Sequence, residues 1–434
     1  MPYLLDAIYL ALLLVFSPWL VYKALTTGKY RRGLLRKLLG QAFLCDGDAP
    51  CAWFHGVSVG EIHLLRQVIA RFRQSHPDWE CAISTTTDTG FDEACKSFPD
   101  LPVFFWPFDF SWAVRRAFRR VNPALVVLAE GELWPNFLIA AKNRGVPVAI
   151  INGRLSPRSF RNYKRLGRIA RALLKRVNLF AVQTAHYADC FRALGVPPER
   201  VQITGSVKYD GVASDPRNDR TEGLRRLLNI AEGEVTWIAG STQPPEEEIV
   251  LEVYRRAKAQ HPSLRLLLVP RQKERFDEVA ALLRRSSEPY QRRSELNGAA
   301  ADRRAVILVD TIGELSALWG LADVAFVGGS LDGRRGGQNM IEPAAYGAAV
   351  VFGPHVWNFH DIANRLIEAE AAIQVSNAVA LREAILKLLS DACERQRLGN
   401  AAQQLVRGQQ GATERTIRCL DQLLAAHQPG RCAA

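Results

Sequence analysis

The sequence has 434 residues, of which 48% are hydrophobic and 23% are charged, and it contains no low-complexity tract. This length and composition exclude a disordered chain and predict two folded domains with separate hydrophobic interiors. The eight cysteines stand singly, without a CxxC pair or a Cys/His ligand spacing. That usage favours reduced thiols and argues against a disulfide framework or a structural zinc. The formal net charge is +12 at pH 7, which predicts an anionic partner.

The positive charge is concentrated in stretches that lack acidic residues. There is no acidic residue between Asp6 and Asp46, and none between Glu132 and Asp189. The second gap carries eleven Lys or Arg residues, eight of them in residues 158–176. Because solvated faces usually mix both signs, this pattern indicates a membrane surface, a phosphorylated substrate or nucleic acid. The absence of RNP, KH, zinc-finger and helix-turn-helix signatures disfavours nucleic acid.

The N-terminal segment predicts a membrane anchor over residues 1–45. Residues 7–22 are uncharged and strongly apolar, and residues 23–40 carry six basic side chains. Sixteen helical residues reach roughly 24 Å, against about 30 Å for a bilayer core, and no signal-peptide cleavage site follows. We expect an uncleaved anchor, inserted or nearly spanning, with its basic flank on the cytoplasmic side. The alternative is a buried helix of the soluble core, which Asp6 and Pro18 favour.

From residue 51 short apolar strands alternate with amphipathic helices, seven strands before residue 207 and five after residue 232. This alternation predicts parallel βαβ units. A polar, turn-rich stretch at 207–232 marks the domain boundary. We therefore predict one Rossmann-like domain at 46–210, a second at 225–410, and a helical tail at 411–434. Two such domains would enclose a cleft faced by strand carboxyl ends, where open parallel sheets bind ligands.

Four loops that follow strands of the second domain predict a nucleotide-type site. They hold Ser241, Pro270 with Arg271, Gly313 with Glu314, and the glycine-rich stretch 328–347, in which a helix is expected to begin near Gln338 or Asn339. Backbone amides at a helix start bind phosphate without a metal, and Arg271 can add a charge-assisted contact. Glu342, one turn into that helix, suits sugar hydroxyls. Neither a P-loop nor a GxGxxG motif with its acidic partner occurs, which disfavours ATP hydrolysis and NAD binding.

Two loops of the first domain, "HGVSVGE" and "AEGELWPN", carry the carboxylates expected to act on the acceptor. Glu61 lies in the first turn of a helix, where the helix dipole and free amides favour its ionised form. An ionised carboxylate at a strand end can serve as a general base, although a glutamate at this position is also an ordinary helix-start residue. Glu130 and Glu132 could orient a substrate or pair with Arg154. Because they share one loop, they make a less convincing retaining pair.

Taken together, these motifs resemble those of a known family. They are "WFHGVSVGE", "STTTDTG", "AEGELWPN", "INGRLSPRS", "GSTQPPEEE", "VPRQKERF", "DTIGEL" and "GGQNMIEPAAYGAAVVFGPHVWNF". In this order they resemble the 3-deoxy-D-manno-octulosonate (Kdo) transferases of lipopolysaccharide biosynthesis. The resemblance implies an α/β fold of the GT-B type, with two Rossmann-like domains facing a cleft and an N-terminal membrane-anchor helix. It further implies transfer of Kdo from CMP-Kdo to a lipid A precursor (lipid IVA), with inversion and without a metal or other cofactor.

The resemblance also implies roles for individual residues. Glu61 takes the position of the proton acceptor. The CMP contacts fall on Pro270, Arg271, Ile312, Gly313, Glu314, Asn339, Met340, Ile341 and Glu342, to which we add Ser241. The residues expected to hold or orient the acceptor are Ser58, Gly60, Glu130, Glu132 and Arg154. The expected partners are CMP-Kdo, the lipid A precursor and the anionic cytoplasmic face of the inner membrane, with no nucleic acid.

Two alternative functions are compatible with parts of this pattern. A different GT-B enzyme, either a UDP-sugar transferase or a sugar-nucleotide epimerase, would share the fold without needing the anchor. A non-catalytic, membrane-tethered module that binds acidic lipids would explain the basic stretches, but it leaves the four loops of the second domain unexplained.

Overall fold

The computed structural model describes residues 2–27, 32–44, 47–296, 298 and 300–427. The chain divides into two compact units: unit 1 comprises Met1–Asp210 and Gln410–Ala434, and unit 2 comprises Gly211–Gln409. Each unit is built on one seven-stranded sheet in which every pair of neighbouring strands is parallel. Parallel pairing requires a crossover between strands, and here helices supply most of the crossovers.

The sheet of unit 1 is strongly apolar and is covered on both faces. Its strands are β1 (Cys51–His55), β2 (Glu80–Thr85), β3 (Val103–Phe105), β4 (Pro123–Ala129), β5 (Val148–Gly153), β6 (Leu179–Val182) and β7 (Val201–Ile203). Their spatial order is β3-β2-β1-β4-β5-β6-β7. Adjacent residues of β1 enter different cores: Trp53 packs in one buried cluster and Phe54 in the other. The strand order reverses between β1 and β4, which is where open parallel sheets bind ligands.

In the described part of the chain, nine α-helices of unit 1 precede the crossing into unit 2. They are α1 (Pro2–Thr27), α2 (Leu34–Leu39), α3 (Val59–Ser75), α4 (Asp88–Ser97), α5 (Ser111–Val121), α6 (Pro135–Asn143), α7 (Pro157–Leu166), α8 (Arg168–Leu174) and α9 (Ala185–Ala193). Helix α3 shows the expected amphipathic spacing, since Ile62, Leu65, Val68, Ile69 and Phe72 are all buried.

Unit 2 repeats the architecture. Its strands are β8 (Thr236–Thr242), β9 (Arg265–Pro270), β10 (Tyr290–Arg292), β11 (Val306–Leu308), β12 (Val324–Val327), β13 (Ala349–Phe352) and β14 (Ala372–Gln374), in the order β10-β11-β9-β8-β12-β13-β14. Its helices are α10 (Asp219–Leu227), α11 (Glu246–Gln260), α12 (Phe276–Arg285), α13 (Leu315–Leu318), α14 (Ile341–Tyr346), α15 (His360–Glu368), α16 (Ala378–Ser390) and α17 (Ala392–Gln409). The strand order reverses between β8 and β12. All twelve predicted strands are present, and the two that were not predicted, β10 and β14, form the edges of this sheet.

The last helix, α18 (Ala412–His427), completes the core of unit 1. Its residues Ile417 and Leu420 are buried in the same cluster as Phe54. The chain crosses between the units after residue 210 and after residue 409. Asp210 connects these two segments, because its carboxylate accepts hydrogen bonds from the amides of Gly411, at 2.7 Å, and Thr413. The chain therefore leaves unit 1 at residue 210, inside the polar stretch that was predicted as a boundary.

Helix α1 is docked on unit 1 through Asp6. The Asp6 carboxylate accepts hydrogen bonds from the Ser111 amide at 2.8 Å and from the Asn136 side chain at 3.1 Å. Beside it, Tyr9 donates to Asp109 at 3.0 Å, and burial raises the pKa of Asp109 to about 6. Of the α1 side chains that the structure describes, Asp6 alone is buried. Among the helices of the described ranges, none has both the length and the apolar character needed to cross a membrane.

Candidate active site

Glu61 lies at the carboxyl edge of the first sheet, in the first turn of α3. Its Oε2 accepts a hydrogen bond from the Val57 amide at 2.9 Å, and its Oε1 accepts one from the Ser58 hydroxyl at 2.9 Å. The residue is half-buried, whereas Ser58 and Gly60 are exposed. An ionised carboxylate can accept about four hydrogen bonds, and Glu61 accepts two. Each of its oxygens can therefore accept a further hydrogen bond. The carboxylate is thus fixed in orientation but still accessible.

Burial raises the pKa of Glu61 above its ordinary value of 4.5, and the charges of Glu130 and Glu132 raise it further. The hydrogen bonds from Val57 and Ser58 act in the opposite direction. The helix dipole by itself favours a low pKa, so partial dehydration outweighs it at this position. A raised pKa brings the carboxylate closer to the operating range of a general base.

The end of β2 and the loop after it hold Val57 in place. Thr87 donates a hydrogen bond to the Val57 carbonyl at 2.8 Å, and Thr85 donates to the same oxygen at 3.3 Å. The Thr87 hydroxyl also accepts the Gly90 amide at 3.1 Å and so caps α4. A Cβ on Gly90 would lie 2.5 Å from Thr85 Oγ1 and 2.8 Å from Thr87 Oγ1, so this position has no space for a side chain. The "STTTDTG" motif therefore supports the residue whose amide binds Glu61.

Glu130 follows β4, the neighbour of β1, and both of its oxygens are bound by cations. Arg154 Nε lies 2.7 Å from Oε2, and Lys208 Nζ lies 3.0 Å from Oε1. The predicted pairing of Glu130 with Arg154 is confirmed. Glu132, at the other end of this short loop, is exposed.

Lys208 is a residue that the sequence pattern missed, because it lies in the polar stretch interpreted as a boundary. The available signal was the apolar pair on either side of it, Val207 and Tyr209, which are both buried in unit 1. They hold a short 3-10 turn against the unit and carry Lys208 to the carboxyl edge of the sheet.

In unit 2 the four predicted segments lie at the carboxyl ends of β8, β9, β11 and β12, which are adjacent in the sheet. Parallel pairing therefore gathers them at one edge. The prediction of a loop at 240–242 was wrong, because this segment still pairs with β9 and forms the end of β8. Ser241 is 7% exposed and has a left-handed backbone with φ of 57°. Pro270 is the buried last residue of β9, and the exposed Arg271 follows it, with its amide donating to the Thr242 carbonyl at 3.1 Å.

The loop after β11 presents backbone rather than a carboxylate. Arg293 donates to Glu314 Oε1 at 2.7 Å, and the Thr311 hydroxyl donates to the other oxygen, so the Glu314 carboxylate is engaged within the protein. The carbonyl of Gly313 accepts a hydrogen bond from Arg220 at 2.6 Å. Ile312 is 70% exposed, so its side chain is accessible.

The helix expected near Gln338 or Asn339 begins at Ile341, and it has six residues. Asn339 delays its start, because Asn339 Oδ1 accepts the Ile341 amide at 3.0 Å in a local turn. The Asn339 side-chain nitrogen donates to Glu342 Oε1 at 2.9 Å. Burial raises the pKa of Glu342, while this hydrogen bond and the charge of Arg271 oppose the effect. Met340 and Ile341 have buried side chains, so only their backbone can contact a ligand.

The side chains gathered at the two sheet edges are carboxylates, guanidinium groups, amines and hydroxyls. The described part of the chain contains no group of three or more His, Cys, Asp or Glu side chains placed to hold a metal ion. The six cysteines within it form no disulfide.

Comparison with known proteins identifies the class of enzyme. Residues 29–211 match the family model of 3-deoxy-D-manno-octulosonic-acid transferase (kdotransferase). The chain is 34% identical over 420 residues to the 3-deoxy-D-manno-octulosonic acid transferase of Haemophilus influenzae, a match that covers 95% of this chain and 97% of that relative. It is 35% identical to the protein of the same name from Chlamydophila psittaci, over 85% of this chain and 84% of that relative. These matches define the protein as a glycosyltransferase. The chain belongs to the 3-deoxy-D-manno-octulosonic acid transferase family.

Solved structures agree with the architecture. The chain is similar to UDP-GlcNAc 2-epimerase from Neisseria meningitidis, with a TM-score of 0.57, 11% identity, and coverage of 86% of this chain and 100% of the other. It is also similar to MurG from Acinetobacter baumannii, with a TM-score of 0.53, 15% identity, and coverage of 86% and 99%. At these identities the likeness concerns the fold alone.

The support of Val57 can be tested by replacing Thr87 with Val, which keeps the shape and removes the hydroxyl. We expect Thr87→Val to lower the free energy of unfolding by about 1 kcal/mol, because a cap and a hydrogen bond to Val57 are both lost. Urea unfolding of the full chain, followed by circular dichroism, measures the change.

Thr86→Val is the matched control, since the Thr86 hydroxyl is buried without a hydrogen-bond partner in the described residues. We expect its unfolding free energy to stay at or above that of the unmodified chain. Equal losses in the two variants would contradict the assigned role of Thr87.

Proposed function

We propose that the protein transfers Kdo from CMP-Kdo to a sugar hydroxyl of a lipid A precursor, with Glu61 as the general base. The observation that carries this proposal is the Glu61 carboxylate: it is fixed by Val57 and Ser58, remains accessible, and has a raised pKa at the reversal of the strand order. Glu61 accepts the proton of the acceptor hydroxyl as the oxygen attacks the anomeric carbon of Kdo, and the bond from that carbon to the phosphate oxygen breaks, so that CMP leaves. A single displacement of this kind inverts the anomeric configuration, and it requires no covalent intermediate.

The donor binds at the carboxyl edge of the unit 2 sheet. Arg271 is exposed beside Glu342, and its guanidinium suits the phosphate of CMP. Backbone groups at Ile312–Glu314 and at Asn339–Glu342 complete the donor site, while the Glu342 carboxylate accepts ligand hydroxyls. Stabilisation of the departing phosphate by a guanidinium and by amides supports a reaction that needs no divalent cation.

The acceptor is an anionic lipid, and unit 1 carries the features that suit it. Helix α7 has no buried residue and overlaps the basic stretch 158–176. Helix α1 exposes large apolar side chains, among them Leu4, Leu14 and Val15 at 66%, 73% and 71%. An apolar helix and a basic surface favour association with the anionic cytoplasmic face of the inner membrane.

The reaction can be tested directly as CMP release from CMP-Kdo on addition of a tetraacylated lipid A precursor in EDTA. We expect release that depends on the acceptor, together with a product heavier by Kdo in mass spectrometry. Glu61→Gln should abolish turnover and leave CMP binding intact, because the amide cannot accept the proton. Release with UDP-sugars only would favour the alternative sugar-nucleotide enzyme, and near-normal turnover of Glu61→Gln would remove the base assignment.

The pH dependence of kcat/KM tests Glu61 through its neighbours. Because the base must be ionised, activity should fall as the pH drops through the Glu61 pKa. Ser58→Ala removes a hydrogen bond to the charged form, so the acidic limb should move to higher pH. Glu132→Gln removes a nearby negative charge, so the limb should move to lower pH. Shifts in the same direction, or no shift, would show that another group is the base.

Membrane association can be tested with vesicles of equal parts phosphatidylethanolamine and phosphatidylglycerol. A double Leu14→Gln, Val15→Gln variant should bind them about tenfold more weakly or worse, because two apolar side chains no longer enter the lipid. The control is Ile203→Gln, Val379→Gln, which alters side chains that are also exposed, at 49% and 51%. Equal binding of the two double variants would contradict a membrane role for α1.

A further inference from the structure

Glu246 is a buried carboxylate at the centre of the unit 2 sheet edge. It is the first residue of α11, follows β8, and is 0% exposed. Two further glutamates follow it with different surroundings: Glu247 pairs with Arg275 at 2.7 Å, and Glu248 is exposed. Glu246 therefore lies where the strand order reverses between β8 and β12.

Four backbone amides bind the Glu246 carboxylate. Oε2 accepts from Gly329 at 2.7 Å and from Gln243 at 2.9 Å, while Oε1 accepts from Ser330 at 2.9 Å and Leu331 at 3.1 Å. Successive amides that converge in this way form an anion-binding nest. Here the anion is supplied by the chain itself.

The geometry indicates that Glu246 is ionised. Each oxygen accepts hydrogen bonds from two amides. If the carboxyl were protonated, one oxygen would carry an O–H group that faces two N–H donors. Burial raises the pKa of Glu246, and the groups that oppose this effect are these four amides. A charge held by backbone dipoles alone is sensitive to small displacements of those amides, so the carboxylate and the turn at 328–331 fix each other.

The turn at 328–331 is hydrogen-bonded to the proposed donor loop and so helps to fix the position of that loop. The Gly329 carbonyl accepts the Gly337 amide at 2.8 Å, which closes the glycine-rich loop just before Gln338 and Asn339. The Ser330 hydroxyl accepts the Gly353 amide at 2.8 Å, and the Ser330 carbonyl accepts the His355 amide at 3.0 Å. The Glu246 carboxylate therefore joins the segments after β8 and β12, and Ser330 connects the turn to the segment after β13.

Steric constraints at two glycines reinforce this arrangement. A Cβ on Gly328 would lie 2.7 Å from Glu246 Oε2, and one on Gly353 would lie 2.3 Å from the Ser330 carbonyl oxygen. Backbone approaches this close leave little freedom for the turn to rearrange once Glu246 is in place.

We propose that Glu246 is a positioning residue for the donor site, an internal anion that fixes the turn at 328–331 and through it the placement of Asn339–Glu342. This inference rests on the proposed function, because it takes that loop to bind CMP. Glu246 itself does not touch the donor. It acts through Gly329 and Gly337.

The first test measures CMP affinity by calorimetry for Glu246→Gln and for its matched control Glu248→Gln. The glutamine turns one acceptor oxygen into a donor that faces two amides, so we expect at least a tenfold rise in the Kd for CMP. The KM for CMP-Kdo should rise in parallel, and the KM for the lipid acceptor should stay within about twofold. Glu248→Gln should match the unmodified chain in every measurement. A folded Glu246→Gln protein with unchanged CMP affinity would overturn the inference.

The second test restores the anion chemically. Glu246→Ala leaves the four amides facing a cavity, and formate carries the same carboxylate group. Formate should recover most of the lost CMP affinity, while chloride at the same ionic strength should recover less. Formate should not change the affinity of Glu248→Ala. Loss of affinity that formate does not restore would show that the side chain contributes packing rather than an anion.

If neither Glu246→Gln nor Glu246→Ala folds, hydrogen exchange of the unmodified chain tests whether Glu246 fixes the turn. The inference requires slow exchange of the Gly329, Ser330 and Leu331 amides before CMP is added. Fast exchange that slows only with CMP would overturn it, because the ligand rather than Glu246 would then order the turn. If the unmodified chain binds no CMP, the proposed function fails, and the exchange measurement alone decides whether Glu246 holds the turn.

Discussion

Parallel strand pairing is the constraint on which both units depend. Parallel strands deliver their carboxyl ends to one edge of a sheet, and helices cover both faces, so polar side chains collect in the loops at that edge. In unit 1 this brings Glu61, after β1, next to Glu130, after β4. In unit 2 it brings together the ends of β11, β9, β8 and β12 and the loops that follow them.

Carboxylates bound by backbone amides recur in this protein, and the degree of burial separates their roles. Asp6 accepts the Ser111 amide and joins α1 to unit 1. Glu246 accepts four amides, is fully buried, and has no position left for a ligand. Glu61 accepts one amide and one hydroxyl and remains half-buried, so it can meet a substrate. Accessible lone pairs distinguish a carboxylate suited to proton transfer from one that fixes the fold.

Much of the fold could be predicted because local pattern and buried structure coincide. Twelve strands were visible as short apolar runs, whereas β10 and β14 read YQR and AIQ and contain no such run. Arg271 was visible as a polar residue directly after a strand, and Glu61 as a carboxylate in the first turn of the helix that follows one. Lys208 was not, because a polar stretch surrounds it. The predicted start of α14, at Gln338 or Asn339, was wrong by two or three residues, because the turn made by Asn339 replaces the first helical residues.

The sequence by itself determined the α/β class, the loops that carry chemistry, the segregation of basic residues and the family resemblance. These properties depend on composition and on spacing along the chain. Only the tertiary structure decided that the pKa of Glu61 is raised, that Asp6 docks α1, and that Glu246 binds the turn at 328–331. Each of these depends on partners far away in the chain: Ser330 lies 84 residues from Glu246, and Ser111 lies 105 residues from Asp6. Burial and hydrogen bonding arise when such distant segments pack together, and local sequence spacing does not encode them.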